Sequence, residues 1–233
     1  VKKNSFLLSS ALFFIMATSG MANAQTPEES LRQNFPQIKY EKIAPSPVKG
    51  LYEVVTKTGI LYYAPESQHI LTGEIYIKDG RSLTQERRLE ILREKQKDIP
   101  LEKGLKMGTG RHKIIEFSNP DCSYCRKASK YLAARTDITR YVFFLPFSPQ
   151  TDGKVKYILC ASDKAKAYEE AMTGKLDDQK FATCDKKDVE ETIRMHKELA
   201  QSLGIEATPF FFIDGQVVQG ADMPAIEKLL GPK

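Results

Sequence analysis

The sequence predicts an α/β protein, α+β overall: a small N-terminal α+β unit, a linker helix, and a larger C-terminal domain of alternating strands and helices with a helical insertion. Three observations predict it. An apolar run, Ile114-Ile115-Glu116-Phe117, breaks at Ser118-Asn119-Pro120-Asp121 and leads directly into Cys122-Ser123-Tyr124-Cys125 at the head of a helical stretch. Strand and helix patterns go on alternating to the end of the chain. Between residues 25 and 80, short strand-like runs are separated by turn residues.

Residues 1–24 stand apart. Lys2 and Lys3 lead, Phe6 to Met16 form an apolar stretch, and Ala22-Asn23-Ala24 offers small residues for cleavage. This is the pattern of a secretory signal peptide, too short and wrongly flanked for a membrane span. Val1 reads as a non-standard start. Cleavage after Ala24 predicts an exported, soluble chain of about 209 residues. It also takes the formal charge from +5 to +3. So small an excess, spread along the chain, describes a solvated surface and not a nucleic-acid footprint. All four cysteines lie after the signal, where an exported protein can keep disulfides.

Residues 25–80 read as a unit of their own. Ser30, Leu31, Phe35 and Ile38 predict a short amphipathic helix ending near Pro36. Strand-like runs follow at 51–55, 60–63, 69–71 and 74–77, with turns at Thr58-Gly59, Ala64-Pro65-Glu66-Ser67 and Asp79-Gly80. A core of about 55 residues is marginal alone, and edge strands invite pairing with a second copy, so dimerisation is the expected role. Residues 81–104 form the linker. Over 82–98 the apolar Leu83, Leu89, Ile91 and Leu92 are sparse among charges, as in a solvated helix bridging two domains. Pro100 ends it, and 103–110 reads as a loose connection.

In the domain over 105–233, Ile114, Ile115 and Phe117 predict a buried strand. Cys122 then falls where the first helical N–H groups lack partners and the helix dipole is positive. Both favour a thiolate, so Cys122 is the expected nucleophile. Cys125, one turn on and facing inward, is placed to resolve a mixed disulfide. A zinc site needs two further ligands, and no second Cys-x-x-Cys or His pair is present. His69, His112 and His196 are scattered without ligand spacing, so no metal or cofactor is expected. Pairing Cys122 with Cys125 leaves Cys160 with Cys184, a staple worth about 3 kcal/mol on chain-entropy grounds. A strand is expected over 141–147, and a helical section carrying Cys160 and Cys184 over roughly 152–203. Pro209, directly before the run Phe210-Phe211-Phe212-Ile213, is unusual because Pro cannot donate to a sheet; a cis peptide there would mark a tight turn. Asp214-Gly215 turns a hairpin into Gln216-Val217-Val218, and Asp222 can cap a last helix bearing Met223, Ile226, Leu229 and Leu230. Asp121 can cap the Cys122 helix, although its charge opposes a thiolate.

Cys122-Ser123-Tyr124-Cys125 together with Thr208-Pro209 resembles the thioredoxin fold, and the chain after residue 24 resembles the DsbC/DsbG family of periplasmic protein-disulfide isomerases. The resemblance covers the N-terminal unit, the bridging helix, the catalytic domain and the second cysteine pair. It implies a V-shaped homodimer in the periplasm, held by its N-terminal domains. Two catalytic domains would face each other across an apolar cleft that holds unfolded or misoxidised exported proteins. It implies that Cys122 attacks a client disulfide and that Cys125 releases a trapped client. Thr208 and Pro209 would offer backbone hydrogen bonds to an extended client, Tyr124 would line the client surface, and Cys160–Cys184 would be structural. An inner-membrane reductase of the DsbD kind would supply electrons. Two departures stand out. The intervening dipeptide is Ser-Tyr, where DsbC has Gly-Tyr and DsbG has Pro-Tyr. Glu116 stands where thioredoxin and the DsbA oxidases carry a buried acid, which makes it a candidate proton acceptor for the resolving cysteine. The competing readings are a DsbG-like reductase of sulfenylated cysteines, a DsbA-like dithiol oxidase, which Glu116 favours, and a chaperone that only holds clients.

Overall fold

The computed structural model describes residues 25–232, so the signal-peptide reading of 1–24 lies outside the described residues. Two sheets organise them, one of four strands and one of five. In the first unit, α1 (Pro27–Asn34) begins with a capping box: the Thr26 hydroxyl accepts from Glu29 N–H, and the Glu29 carboxylate accepts from Thr26 N–H. Its buried face sets Leu31 against Val54 and Tyr63, and Ser30 Oγ shares a 2.6 Å hydrogen bond with Tyr63 OH. The strands β1 (Tyr40–Pro45), β2 (Tyr52–Thr56), β3 (Gly59–Ala64) and β4 (His69–Leu71) form an antiparallel meander in chain order.

Two expectations fail here. Residues 74–77 are not a strand; only Tyr76 bridges, to Ser82. Gly73, at φ 148°, turns the chain away from β4, and the Glu74 carboxylate is held by Ser82 and Arg88. Conversely, β1 was not expected. It is an edge strand with exposed Glu41 and Lys42, and a register break between Tyr40 and Lys42 spoils the two-residue alternation that would announce it.

The linker helix α2 (Leu83–Lys95) is capped by Ser82, whose hydroxyl accepts from Gln85 N–H. It is less solvated than its charges suggest. The Thr84 and Tyr62 hydroxyls bond at 2.6 Å, and Arg87–Glu53 and Lys95–Glu41 ion pairs tie the helix to the first sheet. Leu92, with Ile99 and Leu101 beyond the helix, packs into the core of the second unit. Gln96 Nε2 donates to the Gly215 carbonyl at 2.9 Å. The linker is therefore fastened at both ends.

The second sheet contains β5 (Leu105–Met107), β6 (His112–Ser118), β7 (Ile138–Phe144), β8 (Phe210–Ile213) and β9 (Gln216–Gln219), in the order β5-β7-β6-β8-β9. β6 and β7 run parallel, joined through α3 (Ser123–Ala133); the other pairings are antiparallel. β5 corrects the loose-connection reading: three residues between Gly104 and Gly108 are too few to show a period. Alternation along β6 divides the core. Ile114 faces Ala128 and Leu132 of α3, and Ile226 and Leu230 of α7 (Met223–Leu230). Ile115 and Phe117 face Phe143, Phe210, Phe212 and Ala200. Each buried Phe of this kind contributes about 1.5–3 kcal/mol. Between β7 and β8 lie α4 (Pro149–Cys160), α5 (Lys164–Met172) and α6 (Lys187–Ser202). Residues 173–186, which include Cys184, are not helical, so the helical section is broken where one run was expected. Asp214 and Gly215 have φ of 46° and 88°, the left-handed pair that an Asp-Gly hairpin turn requires. Asp222 caps α7 as predicted, accepting from Ala225 N–H at 3.1 Å.

Candidate active site

Pro120 ends β6 and the next residues fold into a turn: Asn119 Oδ1 accepts from Asp121 N–H at 2.8 Å, and the Asn119 carbonyl from Cys122 N–H at 3.1 Å. Cys122 is then the N-cap of α3, with extended backbone and no side-chain capping bond, and its carbonyl accepts the first helical hydrogen bond, from Arg126. Cys125, Ala128 and Leu132 share the inward face of the helix, three and four residues apart. The two thiols are both free but unlike: Cys122 is half-buried and Cys125 fully buried. Burial pushes the Cys125 thiol up to about 12; the Thr208 hydroxyl and the Asn119 backbone pull it down without offsetting that.

The second expected locus arrives from 86 residues away. The Thr208–Pro209 peptide is cis, and Cys122 Sγ donates to the Thr208 carbonyl at 3.4 Å. Tyr124, in the first turn of α3, is 64% exposed, and Phe147, just beyond β7, is 63% exposed. Cys160 and Cys184 form a disulfide with Cα atoms 6.0 Å apart, joining the end of α4 to the loop before α6.

Glu116 is fully buried, as the resemblance implies for its position, and its carboxylate is not free. It accepts from Arg140 Nη2 at 2.6 Å and Nε at 3.2 Å, and from Tyr168 OH at 3.2 Å. Burial works against the Arg140 charge, but Glu116 and Tyr168 more than offset it and raise the Arg140 pKa. Asp121 does not cap α3. Its carboxylate turns to α4, accepting from Thr151 Oγ1 and from Lys154 Nζ, each at 2.5 Å. Sequence reasoning missed Arg126 and Lys154, which reach this carboxylate, and Asp177, which binds them both. One signal was available: Thr151, Lys154, Val155 and Ile158 share one helical face, so Lys154 sits in an apolar stripe. Asp177, in the irregular stretch after α5, carries no such signal.

A family description, the disulfide bond isomerase protein N-terminal domain, matches residues 18–85, and a thioredoxin-like domain matches residues 105–230. The thiol:disulfide interchange protein DsbC of Escherichia coli K12 is 30% identical over 95% of this chain and 92% of its own length. The chain belongs to the DsbC family of thiol:disulfide interchange proteins. The Salmonella typhimurium DsbC is likewise 30% identical, over 94% of this chain and 90% of that protein. Among solved structures, a linker-deletion mutant of Proteus mirabilis ScsC aligns with a TM-score of 0.51 at 18% identity, over 63% of this chain and 83% of that one, a likeness of fold alone. The thioredoxin-like fold and the disulfide-isomerase function expected from the sequence both stand with this membership, and the protein is a thiol:disulfide oxidoreductase of the isomerase kind. Among the described residues no helix is long and apolar enough to cross a membrane.

Proposed function

We propose that Cys122 is the attacking and Cys125 the resolving sulfur of a protein-disulfide isomerase that works on exported proteins in the periplasm. The observation that carries the assignment is the asymmetry of the pair. One thiol is accessible at a helix start and in contact with the cis-proline loop, and the other is buried and held protonated. The Cys122 thiolate attacks a client disulfide, forming a Cys122–client bond and expelling a client thiolate. That thiolate attacks another client disulfide, and a client thiolate so freed attacks the client sulfur of the mixed disulfide and expels the Cys122 thiolate, so bonds move with no net electron transfer. Burial keeps the Cys125 thiol protonated, so its attack is slow and the mixed disulfide has time to rearrange. When the client is trapped, Cys125 loses its proton and closes the Cys122–Cys125 disulfide. The client leaves reduced, and a dithiol reductase of the DsbD kind restores the enzyme. Glu116 is the proposed acceptor of that proton, on the face of β6 that α3 covers, oriented by Arg140 and Tyr168. Thr208 and Pro209 receive the extended client beside Cys122, and Tyr124 contributes exposed apolar surface.

Export is supported by the pattern of residues 1–24 and by the Cys160–Cys184 disulfide. A homodimer built through the unit over 25–80 is supported by a sheet whose two edges, β1 and β4, have no partner strand among the described residues, and by exposed Leu71. The linker over 81–104 and the catalytic domain over 105–233 complete the division, and the dimer would hold unfolded clients between its catalytic domains. The test is refolding of a scrambled multi-disulfide protein. Wild type restores its activity and Cys122→Ser does not. Equal rescue by both overturns the mechanism. Reduction of a sulfenylated client without reshuffling would move the assignment to the reductase reading.

A further inference from the structure

Four charged side chains interlock beside Cys122. Lys154 is 1% exposed at its side chain, and its ammonium lies 2.5 Å from both Asp121 Oδ1 and Asp177 Oδ1. Arg126 grips Asp177 through two bonds of 2.7 Å, donates to the Pro120 carbonyl at 2.6 Å, and reaches Asp121 at 3.5 Å. Three elements meet in this group: the start of α3, the middle of α4 and the stretch after α5. The carboxylates and cations balance, but their placement does not. Asp121 is covalently next to the attacking sulfur, and its negative charge opposes a thiolate there.

We propose that Lys154 is a positioning residue for the exchange reaction: it draws the Asp121 carboxylate into an ion pair on α4 and neutralises it, leaving Arg126 as the cation that bears on the Cys122 sulfur. Arg126 lies one helical turn after Cys122, on the same face, and donates its backbone N–H to the Cys122 carbonyl. Its charge is reinforced chiefly by Asp177, and also by Asp121 and the Cys122 sulfur. Burial disfavours a charged Lys154, yet Asp121 and Asp177 raise its pKa, so the ammonium persists. The groups that bear on the sulfur are Asp121 and Cys125 from its own segment and Arg126 from α3. Lys154 and Asp177 act through them, and the Thr208–Pro209 loop adds the Thr208 carbonyl, while the Thr208 hydroxyl bears on Cys125. A lysine buried in an apolar helix face is costly to keep, and this role explains its place.

The proposal rests on Cys122 being the attacking thiol, and its test needs no client. Alkylation of Cys122 by iodoacetamide is followed in the reduced full-length protein by mass spectrometry, at about pH 6 and again near pH 10, where every exposed thiol is ionised. Lys154→Met is expected to slow the reaction at the lower pH by roughly three- to ten-fold and to match wild type at the higher. Adding Asp121→Asn should restore the rate to within about twofold of wild type. Asp121→Asn alone should exceed wild type at the lower pH, and it carries the test if Lys154→Met does not fold. A Lys154→Met profile that superposes on wild type, or falls equally at both pH values, overturns the proposal; so does failure of Asp121→Asn to accelerate. If wild-type Cys122 reacts no faster than an ordinary thiol, the assignment of the nucleophile fails instead, a distinct outcome.

Discussion

Removing Arg140 should expose how much of the catalytic domain depends on one buried ion pair. Glu116 sits on β6 with no solvent contact, and Arg140 on β7 is nearly as buried. Arg140 supplies two of the three hydrogen bonds to the carboxylate; the third comes from Tyr168, itself bonded by Arg140 at 2.8 Å. Arg140→Met keeps most of the aliphatic volume and deletes the charge, leaving a carboxylate with one hydroxyl donor inside the sheet. Breaking a buried pair by removing one partner costs about 3–5 kcal/mol, because the remaining charge is uncompensated. In a domain of this size that corresponds to a midpoint lower by about 6–20 °C. Urea denaturation followed by circular dichroism reads the loss directly, as a lower midpoint at unchanged slope. Glu116→Gln together with Arg140→Met removes both charges and should recover most of the loss, since a neutral pair of similar volume is often no less stable. A loss below about 1 kcal/mol for Arg140→Met would refute the reasoning, because it would mean that the carboxylate is hydrated or easily relieved.

Further predictions follow from the same geometry. His196 is buried with both ring nitrogens engaged: Nδ1 accepts from Phe144 N–H at 3.1 Å, and Nε2–H donates to the Lys103 carbonyl at 3.0 Å. Burial lowers its pKa, although the Lys103 carbonyl pulls the other way. The folded protein therefore resists a proton that the unfolded chain takes up below about pH 6.5, so stability falls with pH from there down to the folded pKa, by at most about 1.4 kcal/mol per unit. His196→Gln should flatten that slope in denaturation curves between about pH 6.5 and 5; an unchanged slope counts against it. Replacing Cys160 and Cys184 by serine opens a loop with a sequence separation of 24 and should cost about 3–4 kcal/mol in urea melts, whereas a neutral result would mean that packing alone holds 173–186.

The active site was readable before the structure because its chemistry is concentrated in short, strongly marked segments. Cys122 and Cys125 follow a strand and a proline turn, and Pro209 precedes four consecutive apolar residues. These signals depend on neighbours in sequence, and the elements formed where the pattern placed them. The elements that went unread are edges. β1 carries exposed charges and a register break, and β5 has three residues, so pairing with a neighbour, not local pattern, makes each a strand. The same limit applies to the charges around Cys122. Asp121 is adjacent in sequence, but Lys154 reaches it, and Asp177 reaches Lys154 and Arg126, only because α4 and the stretch after α5 close over α3. Glu116 and Arg140 both lie at inward positions of alternating strands, Arg140 between Ile138 and Val142, but their pairing joins β6 to β7 and carries no signal in either strand alone.

Trapping the covalent intermediate tests the central claim most directly. Cys125→Ser, reduced and mixed with a scrambled disulfide protein, should accumulate a client joined to Cys122, seen as a thiol-sensitive adduct on non-reducing gels and mapped by mass spectrometry. Wild type should pass through that species without accumulating it, because Cys125 releases the client. Absence of any adduct, or an adduct at another residue, would contradict the account.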